Sequence, residues 1–196
     1  MAEATAEKQN INEVETFDHV LKLLEDSRSK LETELAGMPD EFYSRKPADG
    51  GWSINDVVEH LVILERRVTP MLEAKLPEQE VMPDRSNAHV RDAKLVKQVA
   101  SQTVKLSAPD VTMPTGRYES CRQALDDFGV ARQRTLDYTA SATPYLRGRL
   151  LPHPFLGPLD GCQWLLAIGA HTQRHIKQIQ QIKATLSSPS DSPRSS

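Results

Sequence analysis

The 196-residue sequence holds only two cysteines, Cys121 and Cys162. They form no CxxC pair and are too few for a disulfide framework, so both read as reduced thiols. No apolar run approaches the roughly 18 residues that span a bilayer. The opening MAEATAEKQN lacks the apolar middle of a secretory signal. A cytoplasmic protein with no membrane partner is therefore expected. Lysine and arginine are scattered and the net charge is only −3. Without a basic stripe, no nucleic-acid partner is expected. No stretch shows the strict alternation of a half-buried strand, and there is no internal repeat.

The length suits one domain with tails. Residues 1–10 read as a flexible N-terminus and residues 11–186 as a single domain. The Ser/Pro-rich stretch SSPSDSPRSS, residues 187–196, has nothing to bury and reads as a disordered tail.

Four long stretches carry the helical period. The first runs from about Ile11 to Ala36, with Val14, Phe17, Leu21, Leu24, Leu31 and Leu35 on one face. Gly37 and Pro39 should end it. The second starts at Ser53, where SIND matches a capping box between Ser53 and Asp56. Pro70 lies inside its pattern and should kink or fray the last turn. The third spans about Arg117 to Ala140. The fourth follows Asp160, a suitable N-cap with Gln163 at the third helical position. Its apolar face continues through Ile168, Ile179, Ile182 and Leu186.

About forty residues, Leu76 to Gly116, separate the second and third helices. That is too long for a hairpin and predicts a short helix near Asp92–Leu106. The pattern is an all-α four-helix bundle, and the long connection permits a crossover with parallel second and third helices.

The fourth helix contains HTQRHIKQIQQIK, with His171 and His175 four positions apart. Residues at i and i+4 share a helix face, and neutral imidazole is a good metal ligand. A divalent ion needs more than two ligands. His60, in INDVVEHLVIL, borders the apolar stripe of the second helix and is the best third candidate. His19 falls between core positions and His89 sits in the polar crossover. His153, in LLPHPFLGPLD, reads first as a loop histidine and second as a pocket-edge residue. Position 172 is threonine, so the helix lacks the general base of an HExxH protease. The residues alone leave a duller reading open, in which these are packing histidines satisfied by one hydrogen bond each.

Three stretches together resemble the DinB-like family of four-helix-bundle metalloproteins: GWSINDVVEHL around His60, APDVTMPTGR before the third helix, and HPFLGPLDGCQWLLAIGAHTQRHIKQI around His171 and His175. The resemblance covers nearly all of the expected domain. It implies an up-down-down-up bundle with a long crossover between helices two and three, a tri-histidine metal site at His60, His171 and His175, and a homodimer. Characterised members of the family include thiol-dependent transferases and a thiol-dependent isomerase.

Three imidazoles would leave an open position on the ion, as in catalytic rather than closed structural sites. Such a site could activate water or hold a thiol as thiolate. The expected cofactor is a divalent ion, zinc, nickel or iron, with a low-molecular-weight thiol as a second candidate. A small-molecule substrate follows. Arg174, beside His175, could hold an anionic group at the pocket edge or could face solvent. Asp56 and Glu59 are thin candidates for orienting His60, with Asp56 slightly the better placed. Trp52 and Trp164 read as core packing. The expected function is thus a metal-dependent enzyme of thiol-transferase or hydrolase type. The alternative is a non-catalytic metal-binding or stress-response bundle protein.

Overall fold

A computed structural model describes residues 2–82, 88–101 and 110–187. The Ser/Pro-rich tail from Ser188 onward and Leu106 lie outside the described residues. Four long helices form the bundle: α1 (Ala2–Leu35), α3 (Ile54–Lys75), α5 (Cys121–Ser141) and α7 (Gly161–Ser187). Short helices α2 (Asp40–Ser44), α4 (Ala88–Ala100) and α6 (Thr143–Leu146) lie in the connections. A 3-10 turn covers Asp110–Thr112, and strands β1 (Leu150–His153) and β2 (Gly157–Asp160) form a hairpin before α7.

Local chemistry sets the boundaries. Gly37 ends α1 at φ +73°, a conformation that costs other residues a steric penalty. α1 begins at Ala2 rather than near Ile11; AEATAEKQN is built largely of strong helix formers. The expected capping box opens α3: Ser53 Oγ accepts from the Asp56 amide at 3.2 Å, and Asp56 Oδ2 accepts from the Ser53 amide at 2.9 Å. Asp160 and Gln163 make the same reciprocal pair at 2.9 and 3.2 Å before α7. Ser120 caps α5, whose first residue, Cys121, is four later than the start expected near Arg117.

Pro70 does not fray α3, which continues to Lys75. Proline removes one helical hydrogen bond, and the fully buried Leu72 and Leu76 hold the turns beyond it. The hairpin is absent from the sequence reading for a physical reason. Each strand has four residues, and Pro152 lies opposite Pro158. That is too short and too proline-rich for a period of two to stand out.

Helix directions follow from two apolar clusters at opposite ends of the bundle. One joins Leu31 and Leu35, late in α1, to Val57 and Leu61, early in α3, Phe128, in the first half of α5, and Ile179, late in α7. The other joins Leu24, Leu72, Leu136 and Leu165. The C-terminal ends of α1 and α7 therefore lie together with the N-terminal ends of α3 and α5. This is the up-down-down-up order, with the crossover between α3 and α5. Gly169 allows α7 to approach α1 closely, since a Cβ there would stand 2.8 Å from Leu23 Cγ.

Between the two clusters lies a buried polar layer. Arg132 is wholly inaccessible. Its Nε donates to Glu65 Oε1 at 2.8 Å, its Nη1 to the Leu24 carbonyl at 2.6 Å and Ser27 Oγ at 2.8 Å, and its Nη2 to Thr172 Oγ1 at 2.9 Å. One guanidinium, carried by α5, thus bonds the three other bundle helices and ties all four together.

The crossover helix α4 lies across α7. Asp92 shares the buried Arg147 with Asp160, and the Lys177 ammonium donates to the Ala100 carbonyl at 3.0 Å. It begins four residues before the expected Asp92. No helix among the described residues is long and apolar enough to cross a membrane.

Candidate metal centre

His60 sits two turns beyond the Ser53 cap and is almost fully buried, at 3% exposure. Its Nδ1 lies 2.7 Å from the Thr112 carbonyl oxygen. A carbonyl can only accept, so Nδ1 carries the proton and Nε2 presents a lone pair inward. His175, also buried, makes the matching contact one turn along its own helix, with Nδ1 2.7 Å from Gln178 Oε1. His171 stands between them. Its Nε2 is 3.0 Å from His60 Nε2 and 2.9 Å from His175 Nε2. Trp52 closes one side, 5.0 Å from the His60 ring centroid and stacked on His175 at 6.3 Å.

Burial is the main force holding all three imidazoles neutral. It lowers His60 against the opposing pull of the Thr112 carbonyl. It lowers His171 well below the usual range, since a proton there would also compete with one on His175 or His60 and would face the Arg174 charge. It brings His175 down to about 3, with His60 adding to the effect.

Three neutral rings with two Nδ1–H groups turned outward can point at most one proton into the cluster. One proton cannot lie along both short contacts of His171 Nε2, so at least one close Nε2 pair is left without a straight hydrogen bond, an arrangement that a shared cation would satisfy. With metal–nitrogen bonds of about 2.0–2.1 Å, ligands at right angles stand about 3.0 Å apart and tetrahedral ones about 3.4 Å. The observed spacings fall at the first value. His60, His171 and His175 are the metal-capable cluster among the described residues, and the donor set fits a divalent ion.

The other candidates take different places. Arg174 is half-buried and its Nη1 bonds the Ser101 carbonyl, so it holds down the C-terminal end of α4 as well as flanking the histidines. Asp56 is engaged in the α3 cap. Neither it nor Glu59 bonds His60; a backbone carbonyl does that work. His19 is exposed on α1. Sequence reasoning missed Thr112, because a backbone group 52 residues away leaves no side-chain signal. Gln178 was findable, three positions after His175.

His153 ends β1 and packs its ring 4.6 Å from Trp164, two turns before His171 on α7. Its Nδ1 accepts from the Phe155 amide at 3.2 Å. Burial brings it down to about 4, whereas the unfolded chain protonates near the ordinary value of about 6.5. Its contribution to stability is therefore present above about pH 6.5 and is lost as pH falls towards 4. In chelated protein, His153→Gln should lose less stability than the parent between pH 7 and pH 4.5, read as urea midpoints. Equal losses would show that His153 titrates alike in both states.

Comparison with known proteins agrees with the four-helix fold. The sequence profile of the DinB superfamily matches residues 23–179. Over 159 residues the chain is 28% identical to the uncharacterized protein YuaE of Bacillus subtilis (strain 168), covering 80% of this chain and 94% of YuaE. TT2238, described as a four-helix bundle protein, superposes with a TM-score of 0.54 at 24% identity, covering 84% of this chain and 97% of its own. YfiT from Bacillus subtilis is described as a probable metal-dependent hydrolase with an unusual four-helix bundle topology. It superposes with a TM-score of 0.59 at 17% identity, covering 87% of each chain. At these identities the two structures show the fold.

Proposed function

The chain belongs to the DinB superfamily, and from that premise we propose that it is a metal-dependent enzyme acting on a small molecule, with His60, His171 and His175 as the ligands of one divalent ion. The observation that carries this reading is the convergence of three neutral imidazole nitrogens, two of them with tautomers fixed from behind. Zinc, nickel and iron all suit imidazole. When bound, the ion supplies a Lewis acid that favours the deprotonated, nucleophilic form of water or of a thiol. The protein's own part is to hold three lone pairs on one side, to keep the rings neutral by burial, and to wall the site with Trp52. The description of YfiT as a probable metal-dependent hydrolase supports the water route; the thiol route rests on the family resemblance.

A second reading, metal held without turnover, has one observation in its favour. Glu59 adjoins His60 in sequence, but both its oxygens are taken by Thr115 and Gly116, so it is not a free base. Loading chelated protein with zinc, nickel or iron and screening hydrolysis, and thiol addition to electrophiles, separates the two. The enzyme reading expects turnover that appears with one metal and vanishes with chelator. Full metal uptake with no turnover in either screen would favour the binding protein.

A further inference from the structure

We propose that Glu59 is a positioning residue of the metal centre: it clamps the crossover segment onto α3 so that the Thr112 carbonyl fixes the tautomer of His60. The proposal rests on the metal reading above and adds to it the part that sets the geometry of one ligand.

Glu59 is 2% exposed although its neighbours in the crossover are open to solvent. Its Oε1 accepts from the Thr115 amide at 2.8 Å and from the Thr115 hydroxyl at 2.6 Å. Its Oε2 accepts from the Gly116 amide at 2.9 Å. The Arg117 guanidinium stands 4.0 Å away. Burying a carboxylate is costly unless its lone pairs are met, and here both oxygens are met by one short stretch of chain. Gly116 adopts φ +74°, which other residues disfavour, and so lets two successive amides face the same carboxylate.

Three residues upstream, the turn Asp110–Thr112 closes with the Met113 amide on the Asp110 carbonyl at 3.2 Å. It sets the Thr112 carbonyl against His60 Nδ1. Adjacent side chains on a helix diverge by about 100°, so Glu59 and His60 grip the segment at two separate points. Residues 113–118 have no regular structure of their own. The carboxylate bonds are what hold the Thr112 carbonyl in place against His60 Nδ1. Metal-binding histidines commonly have a direct carboxylate or carbonyl partner. Here the carboxylate acts one step further out, through the backbone.

The test uses two variants and two readouts on the full chain. Ring ¹⁵N signals of metal-free protein report the His60 tautomer, and cobalt titration reports affinity. The parent should show His60 protonated at Nδ1. Glu59→Ala should give a mixture of tautomers and bind cobalt about 10–100-fold more weakly, with its helical circular dichroism kept. Thr115→Val, which removes only the hydroxyl bond from an exposed residue, should shift both readouts in the same direction by less. A retained Nδ1–H tautomer and an affinity within about two-fold of the parent, in whichever of the two variants is folded, would overturn the clamp. If the parent takes up no cobalt, the metal reading fails, and the tautomer signals alone decide the clamp.

Discussion

His171→Ala protein should leave purification without metal, where the parent, prepared without affinity tag or chelator, carries roughly one ion per chain. His171 is the shared neighbour of the other two ligands, 3.0 Å from one and 2.9 Å from the other. Its loss leaves two imidazoles, too few for a stable site of this kind. The helix should survive the change. Alanine is the strongest helix former, and the change removes an imidazole whose two short Nε2 contacts cannot both be straight hydrogen bonds. The metal-free variant should therefore be no less stable than the metal-free parent. His60→Ala should also lose the metal, but with a stability cost, since it removes the bond to the Thr112 carbonyl and leaves a void at a buried position. Elemental analysis and thermal unfolding in chelator read both effects. Full metal content in either variant would refute the ligand assignment. No metal in the parent, and no uptake of zinc, nickel or iron, would return the histidines to packing residues.

Replacing Arg132 with methionine should destabilise the bundle by about 3–5 kcal/mol, because it leaves the Glu65 carboxylate buried and unpaired. For a chain of this size that is a fall of roughly 6–20 °C in Tm. The hydroxyls around it suffer less: Ser27 also donates to the Leu24 carbonyl, and Thr172 to the Ile168 carbonyl. Adding Glu65→Leu should recover most of the loss, since removing both charges removes the desolvation penalty with them. The comparison is a thermal or urea series on chelated protein. A neutral single variant, or a double variant as weak as the single, would show that this pair is not desolvated as its burial indicates. The double variant carries a second expectation. With the layer that touches all four helices gone, the two apolar clusters lose their fixed offset, and metal affinity should fall even where stability returns.

The three histidines were legible because each sits on a helix whose period is plain, and a period of 3.6 says which side chains share a face. Arg132 was not legible for the same reason. A charged residue between Ala131 and Leu136 is assigned to solvent unless a partner is known, and the partner, Glu65, is on another helix. The role of Glu59 was hidden likewise. It lies off the apolar stripe of α3, which normally means water, but the crossover covers that face. His60 is held by Thr112, whose contribution is a backbone oxygen and leaves no trace in residue type. The four-helix architecture and the capping residues were local and therefore readable. The layers that join helices across long separations were not.

The parallel pairing of α1 with α7 has a consequence for how the protein is made. Glu34 bonds Gln180 across 146 residues of chain. At about 5–20 residues per second, synthesis leaves α1 without its neighbour for about 7–30 s. Until then its apolar stripe is exposed on the nascent chain, where a chaperone or another unfinished chain could bind it. The proposed metal ligands obey the same clock, because two of the three are in that last helix. On that proposal metal acquisition would be a late event in the life of the molecule, and a chain cut short before His171 would lack two of the proposed ligands and be left open along α1.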